Sequence, residues 1–223
     1  MRWAIVCLSI FGIVFGSQAQ LVRKRDFDAA FALQAGGEIA GLTPFHRPGI
    51  AVKPLVGLKM TFPFNRKWFL GSEINYSELK YSEKGGSLEN WEFPSEGEQT
   101  VAFRLRQLRI PVYLKYRLSC NKASLLFGFY GAYVPDAKAI VSFSSPELYV
   151  EKDISDCLDC WHAGIVLGYE HRIVKHLNMA CQVDIGIKEI VKKPSLFKDR
   201  LFPLQASITL SYDLLRIGDC DCD

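Results

Sequence analysis

The sequence has 223 residues, and its charges are nearly balanced, with 27 Lys and Arg against 24 Asp and Glu. This balance argues against a nucleic-acid-binding surface, which requires an excess of basic residues. The length allows one domain with a large buried or lipid-facing surface, and no second domain is required.

The first 19 residues are typical of a secretory signal peptide. Arg2 supplies a positive charge, Trp3 to Gly16 form an apolar run, and Ser17 and Ala19 are small residues suited to cleavage. The apolar run of about 14 residues is shorter than the roughly 20 that a transmembrane helix needs. We therefore expect residues 1–19 to be removed on export.

From Phe27 onward, apolar residues alternate with polar or small ones, which indicates strands with two unlike faces. In the first three segments the apolar residues are Phe27, Ala29, Phe31, Leu33 and Ala35, then Val52, Val56, Leu58, Met60 and Phe62, then Trp68, Leu70, Ile74 and Tyr76. The opposite faces carry Lys59 and Glu73.

The fourth segment, from Leu108 to Leu118, has the clearest alternation, with Arg109 on its polar face. Upstream, the apolar residues between 101 and 105 have the opposite parity. If the strand starts that early, its alternation must be interrupted. We therefore predict a β-bulge near Arg106 or Gln107.

Four further segments follow. The fifth, Leu125 to Val134, is apolar on both faces, so its facing is ambiguous. In the sixth segment the apolar residues from Trp161 to Tyr169 alternate with a polar face that carries His162 and Glu170. In the seventh, the apolar residues from Met179 to Ile187 alternate with a face that carries Asp184 and Lys188. The eighth covers residues 202–214. Segments of about ten residues match tilted strands that cross a bilayer.

The connections between the eight segments alternate in length. The short ones are residues 63–67, 119–122 and 172–176, and the long ones centre on residues 41–49, 82–99, 135–158 and 191–201. Outer-membrane barrels have short periplasmic turns and long external loops. Since an open sheet edge in lipid would leave backbone groups unpaired, such strands must close into a barrel.

Three stretches carry a resemblance to a known family: Leu108 to Tyr116 with its Ile-Pro pair, Phe129 to Tyr133, and Ala163 to Glu170. Together they resemble the PorT-like outer-membrane β-barrel family of Bacteroidetes-type bacteria, over nearly the whole mature chain. The resemblance implies an outer-membrane barrel of eight strands, similar to OmpA and OmpX. Most members have no assigned function, and a few are linked to protein export.

We therefore predict an all-β protein, an eight-stranded antiparallel up-and-down transmembrane barrel in the bacterial outer membrane. The barrel is expected to occupy residues 20–216, after the signal peptide at 1–19 and before a short Cys- and Asp-containing tail at 217–223. We expect a monomer surrounded by outer-membrane lipid. A soluble lipocalin-like barrel is the alternative, and it requires the apolar faces to point inward.

Several charged residues project into the lumen of such a barrel: Lys59, Glu73, Arg109, Lys115, Glu170, Asp184 and Lys188. Opposite charges there should pair, since an unpaired buried charge is costly. We interpret them as a polar plug that keeps the strands in register. The alternative is a narrow channel or a barrel that binds a small molecule.

Catalysis is not indicated. Ser72, Ser207 and Ser211 have no activating motif, and His162 and Glu170 lie about 26 Å apart along one strand at ~3.3 Å per residue. Nucleotide-binding and zinc-protease motifs are lacking in the sequence. We predict a non-enzymatic protein without cofactor or metal.

The long loops are the better prospect for function, since loops on a rigid scaffold commonly carry recognition. Trp91, Phe93, Phe143 and Tyr149 are candidates for contact with an envelope protein or a glycan, or for packing over the barrel mouth. Cys157 and Cys160 are either a local disulfide or free thiols, because a zinc site needs a second matching pair. The predicted role is therefore structural or interactive, with an accessory part in an envelope or protein-export assembly.

Overall fold

The computed structural model describes residues 29–43, 52–84, 100–118, 122–142, 149–190 and 202–217. These residues form nine strands: β1 Ala29–Thr43, β2 Lys53–Pro63, β3 Trp68–Lys84, β4 Thr100–Arg117, β5 Ala123–Ser142, β6 Tyr149–Asp153, β7 Trp161–Val174, β8 Leu177–Gly186 and β9 Phe202–Ile217. A single 3-10 turn covers Ser155–Cys157. In the described ranges, no helix is long and apolar enough to cross a membrane.

Eight of these strands form a closed antiparallel barrel, as predicted, and the short β6 is an addition that pairs with the end of β5. Closure follows from β1, which pairs with both β2 and β9. A row of paired residues that starts at Ala30 returns to β1 at Ala40, ten residues along, so the shear number is 10. With eight strands this gives a tilt of about 40° and a backbone radius of about 8 Å, so side chains can fill the interior.

The apolar faces of the strands point outward, and the polar faces point inward. Two contacting aromatic pairs mark the ends of the apolar belt: Trp68 and Tyr116, with ring centres 4.8 Å apart, and Tyr133 and Trp161, 4.9 Å apart. Along β3 and β4 the belt spans about 26 Å, or about 20 Å along the barrel axis after the tilt. Arg109 is fully buried in the interior. This facing excludes the lipocalin-like alternative.

The facing of β5, which the sequence left ambiguous, depends on the neighbouring strand β7. Leu126 and Tyr130 point inward and are buried, while Phe129 on the other face is 60% exposed. The two inward side chains fit because glycines of β7 lie beside them. A Cβ on Gly164 would lie 2.4 Å from the Tyr130 ring, and one on Gly168 would lie 3.2 Å from Leu126.

The predicted bulge is at the expected height but belongs to a different strand. Arg106 pairs with Asp136 and Leu108 pairs with Tyr133, so two residues of β5 lie opposite one residue of β4. β4 itself pairs with β3 without any shift. The predicted position near Arg106 or Gln107 is confirmed. The alternation of β4 itself continues through it, because apolar side chains do not face outward along the whole strand.

Beyond the outer aromatic pair, Tyr133 and Trp161, the apolar residues point inward instead of outward. An apolar cluster fills the interior at the end of the barrel that carries the long loops, and we call this cluster the apolar cap. It consists of Ala40, Leu79, Phe103, Leu105, Val134, Ala137, Ala139, Val141, Ile154, Leu158 and Ile190. The outer faces of the same strands carry Glu78, Arg104, Arg106 and Asp136. The reversal indicates that the strands there have left the lipid, because an apolar face then packs inward and a charged face meets water.

The apolar cap also explains why the predicted loop over residues 135–158 contains strand at 135–142 and 149–153. β5 continues to Ser142 and pairs with β6, and its inward residues Ala137, Ala139 and Val141 belong to the cap. The residues on the opposite face of this stretch do not form an apolar set that would face lipid. The sequence-based prediction therefore ended the strand too early.

Candidate functional site

The interior of the barrel holds three layers of buried polar side chains, and the layer nearest the short turns is built on Glu170. Its carboxylate accepts hydrogen bonds from the ammonium groups of both Lys59 and Lys115, so one anion bridges two cations. Lys59 Nζ also lies 3.9 Å from Glu73 Oε1, which links this layer to the next. A cavity of about 20 Å³ adjoins these groups, enough for a water molecule.

The middle layer is centred on Glu73. Its carboxylate accepts hydrogen bonds from the Tyr113 hydroxyl at 2.6 Å, from the side-chain amides of Gln34 and Asn75 at 2.9 Å, and from that of Gln182 at 3.1 Å. These donors come from four strands, β1, β3, β4 and β8. The layer therefore ties together strands that are distant in the barrel wall.

The third layer lies directly beneath the apolar cap and is centred on Arg109. Its guanidinium donates to Glu38 at 2.7 Å, to Gln205 at 2.6 Å and to Asp184. Gln107 donates to the same Gln205 oxygen at 3.1 Å. One arginine of β4 thus holds β1, β8 and β9, and it neutralises two buried carboxylates.

The structure places six of the seven predicted lumen residues in these layers, and the prediction for Lys188 is wrong. Lys188 is 49% exposed and lies at the barrel rim, where its ammonium pairs with Asp159 at 2.6 Å and donates to the Trp161 carbonyl at 2.9 Å. The reason is that β8 ends at Gly186, so the alternation that points Asp184 inward no longer applies.

Sequence reasoning missed several interior partners, of which Glu38 is the most important. The first predicted segment ended at Ala35 on its apolar face and at Gly36 on its polar face, whereas β1 continues to Thr43. Glu38 has the same parity as Gln34, so extending the alternation by one step would have identified it. The hydrogen-bond partners Tyr113 and Gln205 carry no comparable signal, because uncharged side chains on a polar face are common.

The predicted loop residues Trp91, Phe93 and Phe143 lie outside the described residues. Tyr149 begins β6, and only its backbone is described. Cys157 packs half-buried against the apolar cap and Cys160 is exposed. Both are free thiols in the structure, one of the two alternatives that the sequence left open, and the disulfide stays a prediction.

The outer surface around the apolar cap carries paired charges. Glu78 accepts from Arg104 at 2.9 Å and from Lys53 at 3.3 Å, and Lys138 donates to Glu151 at 2.6 Å. The hydrogen bond from Lys138 and its charge lower the pKa of the Glu151 carboxyl. In the described part of the chain, no three His, Cys, Asp or Glu residues are arranged to hold a metal ion.

The comparison that decides the family covers most of the chain. Residues 18–192 match the profile of the outer membrane protein beta-barrel domain. The chain belongs to this family. Membership of the outer membrane protein beta-barrel domain family indicates an outer-membrane location, in agreement with the two aromatic pairs and the apolar belt between them.

No curated protein matches the chain. Solved structures of similar fold include three outer-membrane proteins. Ail of Yersinia pestis is 8% identical, with 85% of this chain and 99% of Ail covered and a TM-score of 0.46. Neisserial surface protein A is 12% identical, with 83% of this chain and 99% of that protein covered and a TM-score of 0.49. The outer membrane protease OmpT of Escherichia coli is 10% identical, with 87% of this chain and 99% of OmpT covered and a TM-score of 0.43. Such low identities carry no information on activity or ligands.

Proposed function

We propose that the protein is a non-enzymatic, PorT-like outer-membrane barrel that acts as a structural or interaction protein, as an accessory of an envelope or protein-export assembly. The observation that supports this proposal is that two features block the interior of the barrel. Three layers of hydrogen-bonded charges cross the lumen, and the apolar cap covers them at the long-loop end. Contact with other molecules is then left to the long loops and to the outer surface.

The chemistry of the interior supports a role without catalysis. Ser207 and Ser211 point into the barrel and are buried, and their hydroxyls have no hydrogen-bond partner among the described residues. A serine nucleophile needs a neighbouring base to accept its proton. The buried charges are engaged with one another, which suits a role in holding strands together and not in processing a substrate.

The purified barrel should not conduct ions when it is inserted into a planar lipid bilayer. A lumen with a backbone radius of about 8 Å is filled by side chains, and ion flow would require the paired layers to separate. A general porin in the same bilayer serves as the positive control. Steady currents that disappear when Arg109 or Glu73 is neutralised would instead establish the narrow-channel alternative.

Photo-crosslinking in intact cells tests the interaction role. A photoreactive residue at Val150, which is exposed on β6 at the long-loop end, is expected to form adducts with an envelope protein. The same residue at Ile208, on the lipid-facing side of β9, is the matched control and should give lipid adducts. Protein adducts of equal yield at both positions, or none at Val150, would contradict the proposal.

A further inference from the structure

The level of the barrel interior around Arg109 contains most of the buried polar atoms that no side chain satisfies. Ten buried side-chain nitrogen and oxygen atoms of the described residues have no hydrogen-bond partner. Seven of the ten belong to five residues: Glu38, Arg109, Tyr130, His162 and Asp184. None of these five is more than 4% exposed, and a buried polar group without a partner is destabilising. We propose that the five side chains bind internal water, and we call this place the hydration site.

The residues of the hydration site come from five strands, β1, β4, β5, β7 and β8, and lie close together. The Arg109 guanidinium donates to both Glu38 and Asp184. Tyr130 is near enough to interact with the charges of Arg109 and of both carboxylates, and His162 interacts with the charge of Arg109. The rings of Tyr130 and His162 meet edge to face, with their centres 5.8 Å apart. The unsatisfied atoms are therefore concentrated at one height and not scattered along the lumen.

The chemistry of the unsatisfied atoms selects water over an ion. Arg109 uses a single nitrogen, Nη1, for its bonds to Glu38, Asp184 and Gln205, while its Nε and Nη2 have no partner among the described residues. These two nitrogens carry three N–H donors. Glu38 Oε2 and Asp184 Oδ1 are unsatisfied acceptors at the same level. An anion would satisfy the donors and be repelled by the carboxylates, and a cation would do the reverse. A water molecule donates and accepts, so it can satisfy both kinds of group.

The space next to the hydration site has the size of a water molecule. A cavity of about 10 Å³ lies between His162 and the apolar cap, and its wall includes Leu105, Leu158 and Ile190 of the cap. A volume of about 10–15 Å³ accommodates one water molecule, which excludes an organic ligand. The cap covers this space on the side of the long loops, so the water is an internal part of the barrel.

The Tyr130→Phe variant tests whether the hydration site is wet, because it removes one hydroxyl and keeps the ring. If water binds that hydroxyl, a hydrogen bond is lost and the equilibrium constant of unfolding in lipid vesicles should rise about three- to tenfold. In a dry site the same change deletes an unsatisfied polar group, so an unchanged or lower constant would overturn the proposal. Tyr113→Phe is the matched control, since the Tyr113 hydroxyl donates directly to Glu73 and its loss should destabilise the barrel with or without water.

A crystal structure of the purified barrel at a resolution that shows ordered water completes the test. We expect a water molecule within hydrogen-bonding distance of Arg109 Nε or Nη2 and of a free oxygen of Glu38 or Asp184. Crystals soaked in bromide or in rubidium salts identify an ion of either sign by its anomalous signal. Such a signal at this level, or no density there, would overturn the proposal. Neither experiment depends on an envelope partner, which the crosslinking at Val150 reports separately.

Discussion

Replacing Arg109 by methionine should lower the free energy of unfolding by about 3–5 kcal/mol, the usual cost of breaking a buried ion pair. Arg109 is fully buried, and its guanidinium is the shared partner of Glu38 and Asp184. Without it, two buried carboxylates lose their counter-charge inside the barrel. Urea unfolding in lipid vesicles, followed by Trp fluorescence and by the heat-dependent shift on gels, measures the change.

A variant that removes all three charges distinguishes lost ion pairs from lost packing. In R109M/E38Q/D184N no uncompensated charge remains, so most of the stability is expected to return. The single and triple variants lose the same arginine volume, which makes them a matched pair. A loss below about 1 kcal/mol in R109M, or a triple variant no more stable than R109M, would refute the role of Arg109 as the link between β1, β4 and β8.

Replacing Ile110 by arginine should destabilise the barrel in the membrane by roughly 2–4 kcal/mol. Ile110 is on the lipid-facing side of β4 between the two aromatic pairs, and 41% of it is exposed. An arginine there must leave water for hydrocarbon or distort the bilayer. Ile185→Arg, on the same face of β8, should have a similar effect. Folding yield into vesicles and urea unfolding both report the loss.

The control for this prediction also tests the position of the membrane boundary. Ile140 lies on β5 beyond the outer aromatic pair, where its partner in β6 is Glu151 and its neighbour is Lys138. Ile140→Arg should therefore cost less than about 1 kcal/mol, because the outer face of the barrel meets water there. Equal losses for Ile110→Arg and Ile140→Arg would mean that the reversal of facing does not mark the end of the lipid region.

The strand pattern of β4 shows how far the sequence predicts the fold. Between Leu108 and Tyr116 the alternation correctly predicts which side chains meet lipid and that Arg109 and Lys115 point inward. The same alternation fails at Phe103 and Leu105, which are apolar and yet point inward into the apolar cap. Alternation shows that a strand has two unlike faces. Whether the apolar face points outward or inward depends on whether lipid or water lies outside the barrel.

By itself the sequence determined the antiparallel eight-stranded barrel, the short turns and the inward side of six of the seven predicted lumen charges, because alternation with a period of two is a local property of each strand. Only the tertiary structure decided which charges meet. Arg109 reaches Glu38 and Asp184 because closure between β1 and β9, with a shear number of 10, brings three distant strands to one height. Register and closure are properties of the whole sheet, so no single segment contains them.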